Sequence, residues 1–235
     1  MACWSFSLPA GKEGACPLAV TGKDTICGGC YAMINRYNIP NVLTAQWVRY
    51  LWLKERISKR EIPEAVYEMT TAIKIHTNNN YFRFFDSGDF FHQDMIKICY
   101  HICKLLPEIK FWFPTRIWYT DNKTWQLWLH NLAALKNVSV RPSAIKFNDK
   151  PPRIIGLNKG TTVILSKKDK PKGVSICPKT LNGGNCHDNH CRSCWHHSKE
   201  IAYLVHGYIG RHKQPIISDK ILKTRNLIKL TVGAN

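Results

Sequence analysis

Between residues 81 and 144 short apolar runs of strand character alternate with longer runs of helical period, and this alternation constrains the fold more than any other feature. YFRFFDSGDF (81–90) reads as a strand ending in a polar turn, HQDMIKICYHICKLL (92–106) as a helix and IKFWFPTR (109–116) as a strand. DNKTWQLWLHNLAALK (121–136) reads as a helix and NVSVRPSA (137–144) as a strand. Two helices come before them: NVLTAQWVRYLWLKERISKR (41–60), and IPEAVYEMTTAIKIH (62–76) with Pro63 in its first turn. WSFSLPA (4–10), TTVILSK (161–167) and GVSICPK (173–179) are further strand candidates. Strands joined by crossover helices run parallel, so an α/β fold is expected, either a parallel sheet or an incomplete (β/α) barrel. With no repeat and no polar linker, residues 1–235 read as a single domain. Its parts are an N-terminal cysteine loop (1–40), a C-terminal cysteine-rich loop (173–197) and a basic segment (198–235).

In such folds ligands collect beyond the carboxyl ends of the strands. Those ends carry Pro9 and Ala10; Asp86, Ser87, Gly88 and Asp89; Pro114, Thr115 and Arg116; Arg141 and Ser143; Ser166 and Lys167; and Cys177. Each group alone is ordinary turn and cap chemistry. Parallel strands would gather all of them, with both cysteine-rich loops, on one face.

The chain has ten cysteines among 235 residues, a length that buries a core without covalent staples. The N-terminus lacks the basic and apolar pattern of an export signal, and no apolar run is long enough to span a bilayer. A cytoplasmic protein is therefore expected, in which clustered cysteines are metal ligands or redox groups rather than disulfides. Cys177, Cys186, Cys191 and Cys194 form C-x8-C-x4-C-x2-C in a stretch rich in Gly, Asn and Pro that has no ordering force of its own. Four thiolates complete either a structural zinc site or a four-iron cluster, and His187, His190, His196 and His197 could replace one of them on zinc.

Cys16, Cys27 and Cys30 form C-x10-C-x2-C. Three thiolates on a four-iron (4Fe-4S) cluster leave one iron open to a substrate or cofactor. The alternatives are a zinc site completed by a histidine or carboxylate, and a mixed site of Cys27 and Cys30 with Cys191 and Cys194. Cys99 and Cys103 fall on the apolar stripe of their helix and read as buried thiols. Trp4, Trp118 and Trp195 lie beside polar turns where an indole could stack on a ligand.

Lys and Arg number 34 against 16 acids, a net charge of +18, which makes nucleic acid a candidate partner. The surplus is concentrated in part in KKDKPK (167–172), GRHKQ (210–214) and KILKTRNLIKL (220–230), and such runs are usually solvated faces.

In order along the chain, LPAG, a cysteine loop ending in CYA, FDSGDF, FWFPTR and a terminal CP…C…C…CW array resemble the bacteriophage family gene product 88. That resemblance implies a phage protein working in the host cytoplasm. More distantly, a strand, a three-cysteine loop, a helix and a second strand ending in FDSGDF resemble the opening of radical S-adenosylmethionine (SAM) enzymes. Their usual spacing is C-x3-C-x2-C, from which C-x10-C-x2-C departs. The resemblance implies an open cluster on Cys16, Cys27 and Cys30, with Ser87, Gly88 and Asp89 approaching the amino group of SAM.

Two classes of function follow. One is an iron–sulfur protein or enzyme in which Asp86 and Asp89 bind cofactor polar groups, Arg116 and Arg141 bind an anionic substrate, and the terminal four cysteines hold an auxiliary cluster. The other is a zinc-stapled nucleic-acid-binding or accessory protein without catalytic activity. A hydrolytic site of Asp86, Asp89 and His92 around a divalent ion matches in ligand type but has no supporting spacing.

Overall fold

The computed structural model describes residues 3–196 and 199–205, save the side chain of Asn35. Four parallel strands form one sheet in chain order: β1 (Trp4–Phe6), β2 (Tyr81–Phe84), β3 (Lys110–Thr115) and β4 (Val138–Pro142). The connections carry α1 (Pro40–Ser58) and α2 (Ile62–His76) before β2, α3 (Gln93–Leu105) before β3, and α4 (Lys123–Ala133) before β4. The alternation read from the sequence is therefore present, and its parallel pairing follows from the crossover helices. Start signals sit where the chain needs them. Pro40 and Pro63 open α1 and α2 at positions whose N–H would have no helical partner. Asn122 caps α4 by accepting from Thr124 and Trp125 N–H at 3.0 and 3.2 Å.

A second parallel sheet follows, built from β5 (Thr161–Ile164), β6 (Ser175–Ile176) and β7 (Ile201–Leu204) in the order β5-β7-β6. A single parallel bridge, Ser143 to Thr161, joins the end of β4 to the start of β5. Among the described residues β1 and β6 are open edges, so the strands do not close into a barrel. The short helix α5 (Pro178–Asn182) follows β6.

The alternation of side chains along the strands divides the first sheet into two different faces. Phe82, Phe84, Phe111, Phe113, Val138 and Val140 point to the helices and pack with Met69, Ile73, Met95, Ile98, Cys99, Ile102, Leu129 and Leu132. Phe84 stacks on Phe113 at 4.6 Å between ring centres. Cys99 and Cys103 are fully buried in this core, as their helical spacing indicates. The opposite face carries Arg83, Trp112 and Arg141, and the C-terminal cysteine-rich loop covers it through Trp195, which packs on Tyr81 and Trp112 at 5.4 and 5.3 Å.

Candidate metal and ligand site

The three-cysteine loop leaves β1 and is stitched to the turn after β2. Leu8 N–H donates to Ser87 C=O at 2.9 Å, and Asp89 N–H to Ala15 C=O at 3.1 Å. Gly88 has φ +86, and a Cβ there would stand 2.8 Å from that of Leu8, so glycine is required where the two turns meet. Further along, Thr25 Oγ1 donates to Gly22 C=O at 2.9 Å and accepts from Gly28 N–H at 3.0 Å, shaping the backbone around Cys27. Ile26 N–H donates to Ile145 C=O at 2.9 Å, tying this loop to the segment after β4. Cys16, Cys27 and Cys30 thereby come close enough for their charges to interact. Burial, and then the neighbouring Asp89 and Cys30, push the Cys16 thiol well above its ordinary pKa. The Arg116 guanidinium, whose Nε donates to the Ala144 carbonyl at 3.1 Å, is within charge range of all three thiols.

Asp86 and Asp89 have different environments. Asp86 receives Arg83 Nη1 at 2.6 Å and the Tyr37 hydroxyl at 2.5 Å, while its carbonyl accepts from the Tyr31 hydroxyl at 2.6 Å. Asp89 is buried: Oδ1 accepts from Thr115 Oγ1 at 2.7 Å and Phe90 N–H at 2.8 Å, and Oδ2 from Arg116 N–H at 2.8 Å. Burial pushes its carboxyl up to about 6 against these three hydrogen bonds. With both oxygens engaged, Asp89 clamps the β2 turn to the end of β3. Ser87, 2% exposed, has no hydrogen-bond partner for its hydroxyl, and Arg83 Nε and Trp112 Nε1 are likewise buried without one.

At the C-terminal loop Cys177, Cys186, Cys191 and Cys194 form a second group. Cys177 is within charge range of Cys191, Cys186 of both Cys177 and Cys191, and Cys194 of Cys177 and Cys186. Burial pushes the Cys194 thiol up to about 12, and its Sγ lies 3.2 Å from the Tyr203 hydroxyl. The ordering force that the sequence lacked comes from β4. Arg141, fully buried, donates to the carbonyls of Cys194 (2.9 Å), Ser193 (2.6 Å), Lys159 (2.7 Å), Lys199 (2.8 Å) and His196. Asn185 and Asp188 add local turns, with Asn185 N–H donating to Asp188 Oδ2 at 2.9 Å and His187 N–H to Asn185 Oδ1 at 2.7 Å. Arg141 thus holds protein carbonyls, which leaves Arg116 of the two as the arginine facing the site.

A cavity of about 890 Å³ lies between the two groups. Cys16, Cys27 and Cys30 line it with Cys177, Cys186 and Cys194, as do Asp86, Ser87, Gly88, Asp89 and Arg116. Of the strand-end residues singled out in the sequence, Ala10, Pro114 and Ser143 line it too, whereas Pro9, Thr115, Arg141, Ser166 and Lys167 do not, nor does Cys191 of the C-terminal loop. Among the described residues, no three His, Cys, Asp or Glu side chains converge on a point where one metal ion could sit. His187, His190 and His196 are exposed, and His197 lies outside the described residues. His92 caps α3 through its Nδ1, which accepts from Asp94 N–H at 3.2 Å. Trp118 donates to the Ser143 carbonyl at 2.9 Å, and Trp195 to that of Phe82 at 3.0 Å, so both indole N–H groups serve the fold. Trp4 packs on His76 at 5.3 Å. Of the basic runs, only 167–172 is described; 210–214 and 220–230 lie outside.

Arg83, Trp112, Tyr31 and Tyr203 escaped the sequence reading. Arg83 had a signal, a lone charge alternating with phenylalanines in YFRFF, which places it on the face opposite the apolar core. The tyrosines had none: Tyr31 meets Asp86 across 55 positions, and Tyr203 meets Cys194, nine positions back, only through the fold of the segment leading into β7.

Among the described residues no helix is long and apolar enough to cross a membrane. No curated protein and no solved structure matches the chain, and the resemblance to radical SAM enzymes finds no support in these comparisons. A family profile described as Gene product 88 matches residues 1–210, in keeping with the order of motifs from LPAG to the terminal CW. The chain belongs to the Gene product 88 family.

Proposed function

We propose that this protein is an iron–sulfur protein, with an open cluster on Cys16, Cys27 and Cys30 and a second cluster in the C-terminal group of Cys177, Cys186, Cys191 and Cys194. The observation that carries the reading is that two groups of thiols, from opposite ends of the chain, line one cavity beyond the carboxyl ends of β1–β3. A mononuclear zinc site needs four sulfurs within about 3.8 Å of one another, given a tetrahedral Zn–S distance of about 2.3 Å. A four-iron cluster places each thiolate on its own iron and does not require its thiolates to meet at one point. When bound, such a cluster supplies one-electron chemistry and, at an iron without a thiolate, a coordination position.

The chain's own residues give that position its surroundings. Arg116 brings positive charge to the three front thiols, offsetting the charge of a thiolate-bound cluster. Asp89 fixes Arg116 by its backbone, and Thr115 with it. Arg83, Ser87 and Trp112 line a cavity of the size that holds a small molecule, and each carries a buried donor without a protein partner. SAM, implied by the more distant resemblance, is the cofactor to test there first; of the aspartates expected to receive it, both already have protein partners.

Iron and acid-labile sulfide in anaerobically purified protein test the reading. We expect both, in amounts sufficient for two clusters, and a Cys16→Ala, Cys27→Ala, Cys30→Ala variant should lose only the front group's share. Stoichiometric zinc without iron or sulfide would overturn it and favour a zinc-stapled protein. With iron present, an electron paramagnetic resonance spectrum of the reduced protein that is unchanged at saturating SAM would remove that cofactor and leave the clusters.

A further inference from the structure

Cys3 belongs to neither cysteine motif, and along the chain it lies nearer the front group. In the structure it joins the other one. Cys3 and Cys186 pack against a buried apolar nest of Trp112, Cys177, Cys194, Trp195 and Ile201. Cys3 is also within charge range of Cys186, with Arg83 and Arg192 beside it. The placement follows from strand geometry: Cys3 directly precedes β1, on the same side as Ser5, which pairs with Arg83 on the face covered by the C-terminal loop.

Cys191 has a different environment. Neither Cys3 nor Cys191 lines the cavity, but Cys191 is not part of that nest, and its Sγ lies 3.4 Å from Ser193 Oγ, although it remains within charge range of Cys177 and Cys186. Five thiols therefore compete for four positions. A cluster is better protected from water in the nest lined by Trp112 and Trp195 than beside the polar edge at Ser193.

We propose that Cys3 is a ligand of the C-terminal metal group together with Cys177, Cys186 and Cys194, and that Cys191 is the thiol left over. This inference rests on the iron–sulfur reading above and changes the ligand set of one of its two sites. It makes the extreme N-terminus part of the site: β1 and the C-terminal loop, otherwise joined across the sheet by side-chain packing, become joined through the metal group.

Alkylation of the wild-type protein tests it without any variant that could misfold. Metal and sulfide are first measured in the anaerobic protein; if none is bound, the iron–sulfur reading has failed, and this inference falls with it before any labelling. If iron is bound, iodoacetamide labelling of each cysteine is followed by peptide mass spectrometry, before and after the cluster is removed by oxidation and chelation. Ligation should slow labelling of Cys3 by at least about tenfold relative to the stripped protein, because the bound thiolate is no longer a free nucleophile. Cys191 should label at similar rates in both. Equal labelling of Cys3 with and without metal, or protection of Cys191 in its place, would overturn the proposal. Iron content gives an independent reading: Cys3→Ser should lose the C-terminal group's share and Cys191→Ser should keep it, and the reverse result would overturn the assignment.

Discussion

The Arg141 guanidinium, fully buried at the end of β4, donates to the Cys194 carbonyl at 2.9 Å and so holds the C-terminal cysteine loop on the inner face of the sheet. Its other donors go to carbonyls of Ser193, Lys159, Lys199 and His196, which ties the segment after β4 and the approach to β7 to the same side chain. A planar fork of donors suits several fixed carbonyls in a way that a lysine ammonium does not.

Arg141→Met should therefore destabilise the protein by about 3–5 kcal/mol, since several buried carbonyls lose a charged donor at once. Arg141→Lys should recover only a minor part of that loss. Urea unfolding of the three proteins checks both statements. A variant as stable as wild type would show that the loop is held in place by other contacts.

The Asp89 carboxyl is expected to make stability depend on pH. Its folded pKa, about 6, lies above the ordinary aspartate value of 3.8, so the folded state holds the proton more tightly than the unfolded chain. That contribution is complete below the unfolded value and is lost as the pH rises through about 6. Asp89→Asn removes the titration, so the variant's stability relative to wild type should improve between about pH 4 and 7, by at most about 3 kcal/mol. Near pH 4 the variant should be the less stable protein by about 1–3 kcal/mol, because an amide –NH₂ meets the Arg116 N–H that the Oδ2 of Asp89 accepts. Unfolding curves for both proteins at the two pH values decide it. A stability difference that does not change with pH would show that Asp89 remains ionised.

Gly28 tests the architecture of the three-cysteine loop. A Cβ at this position would lie 2.1 Å from the Gly22 carbonyl oxygen and 2.9 Å from Thr25 Oγ1, and neither backbone nor the engaged hydroxyl can move aside cheaply. Gly28→Ala is expected to cost about 2–3 kcal/mol and to lower iron at the front group while sparing the C-terminal group. Full retention of front-group iron would show that the loop refolds around the metal.

Cys99 and Cys103 serve as the control. Both are fully buried in the helix-packed core, away from the cavity. Replacing both with Ala should lower stability by about 1–2 kcal/mol through lost packing and leave metal content unchanged. Loss of iron from that double variant would place a thiol of α3 in a metal site after all.

The alternation of strand and helix, the parallel sheet and the buried stripe of α3 were readable in the chain because each depends on a local period: two along a strand and three to four along a helix. Rules of topology then sufficed to bring Ser87, Asp89, Arg116 and the cysteine-bearing loops to one end of the strands. The roles of particular residues were decided at longer range. Arg141 and Arg116 look alike at the ends of neighbouring strands, yet the first is enclosed by carbonyls of a loop more than fifty positions away, while the second is within charge range of the front thiols. Asp86 and Asp89 likewise share one turn and differ because Tyr37 and Arg83 reach the first, and Thr115 and the Arg116 backbone the second. Cys3 is the sharpest case, for its sequence neighbours point to Cys16 and the sheet delivers it to Cys186. Periodicity tells which face of an element a side chain occupies, but its partner is set by whichever distant segment covers that face, and only the folded chain determines that.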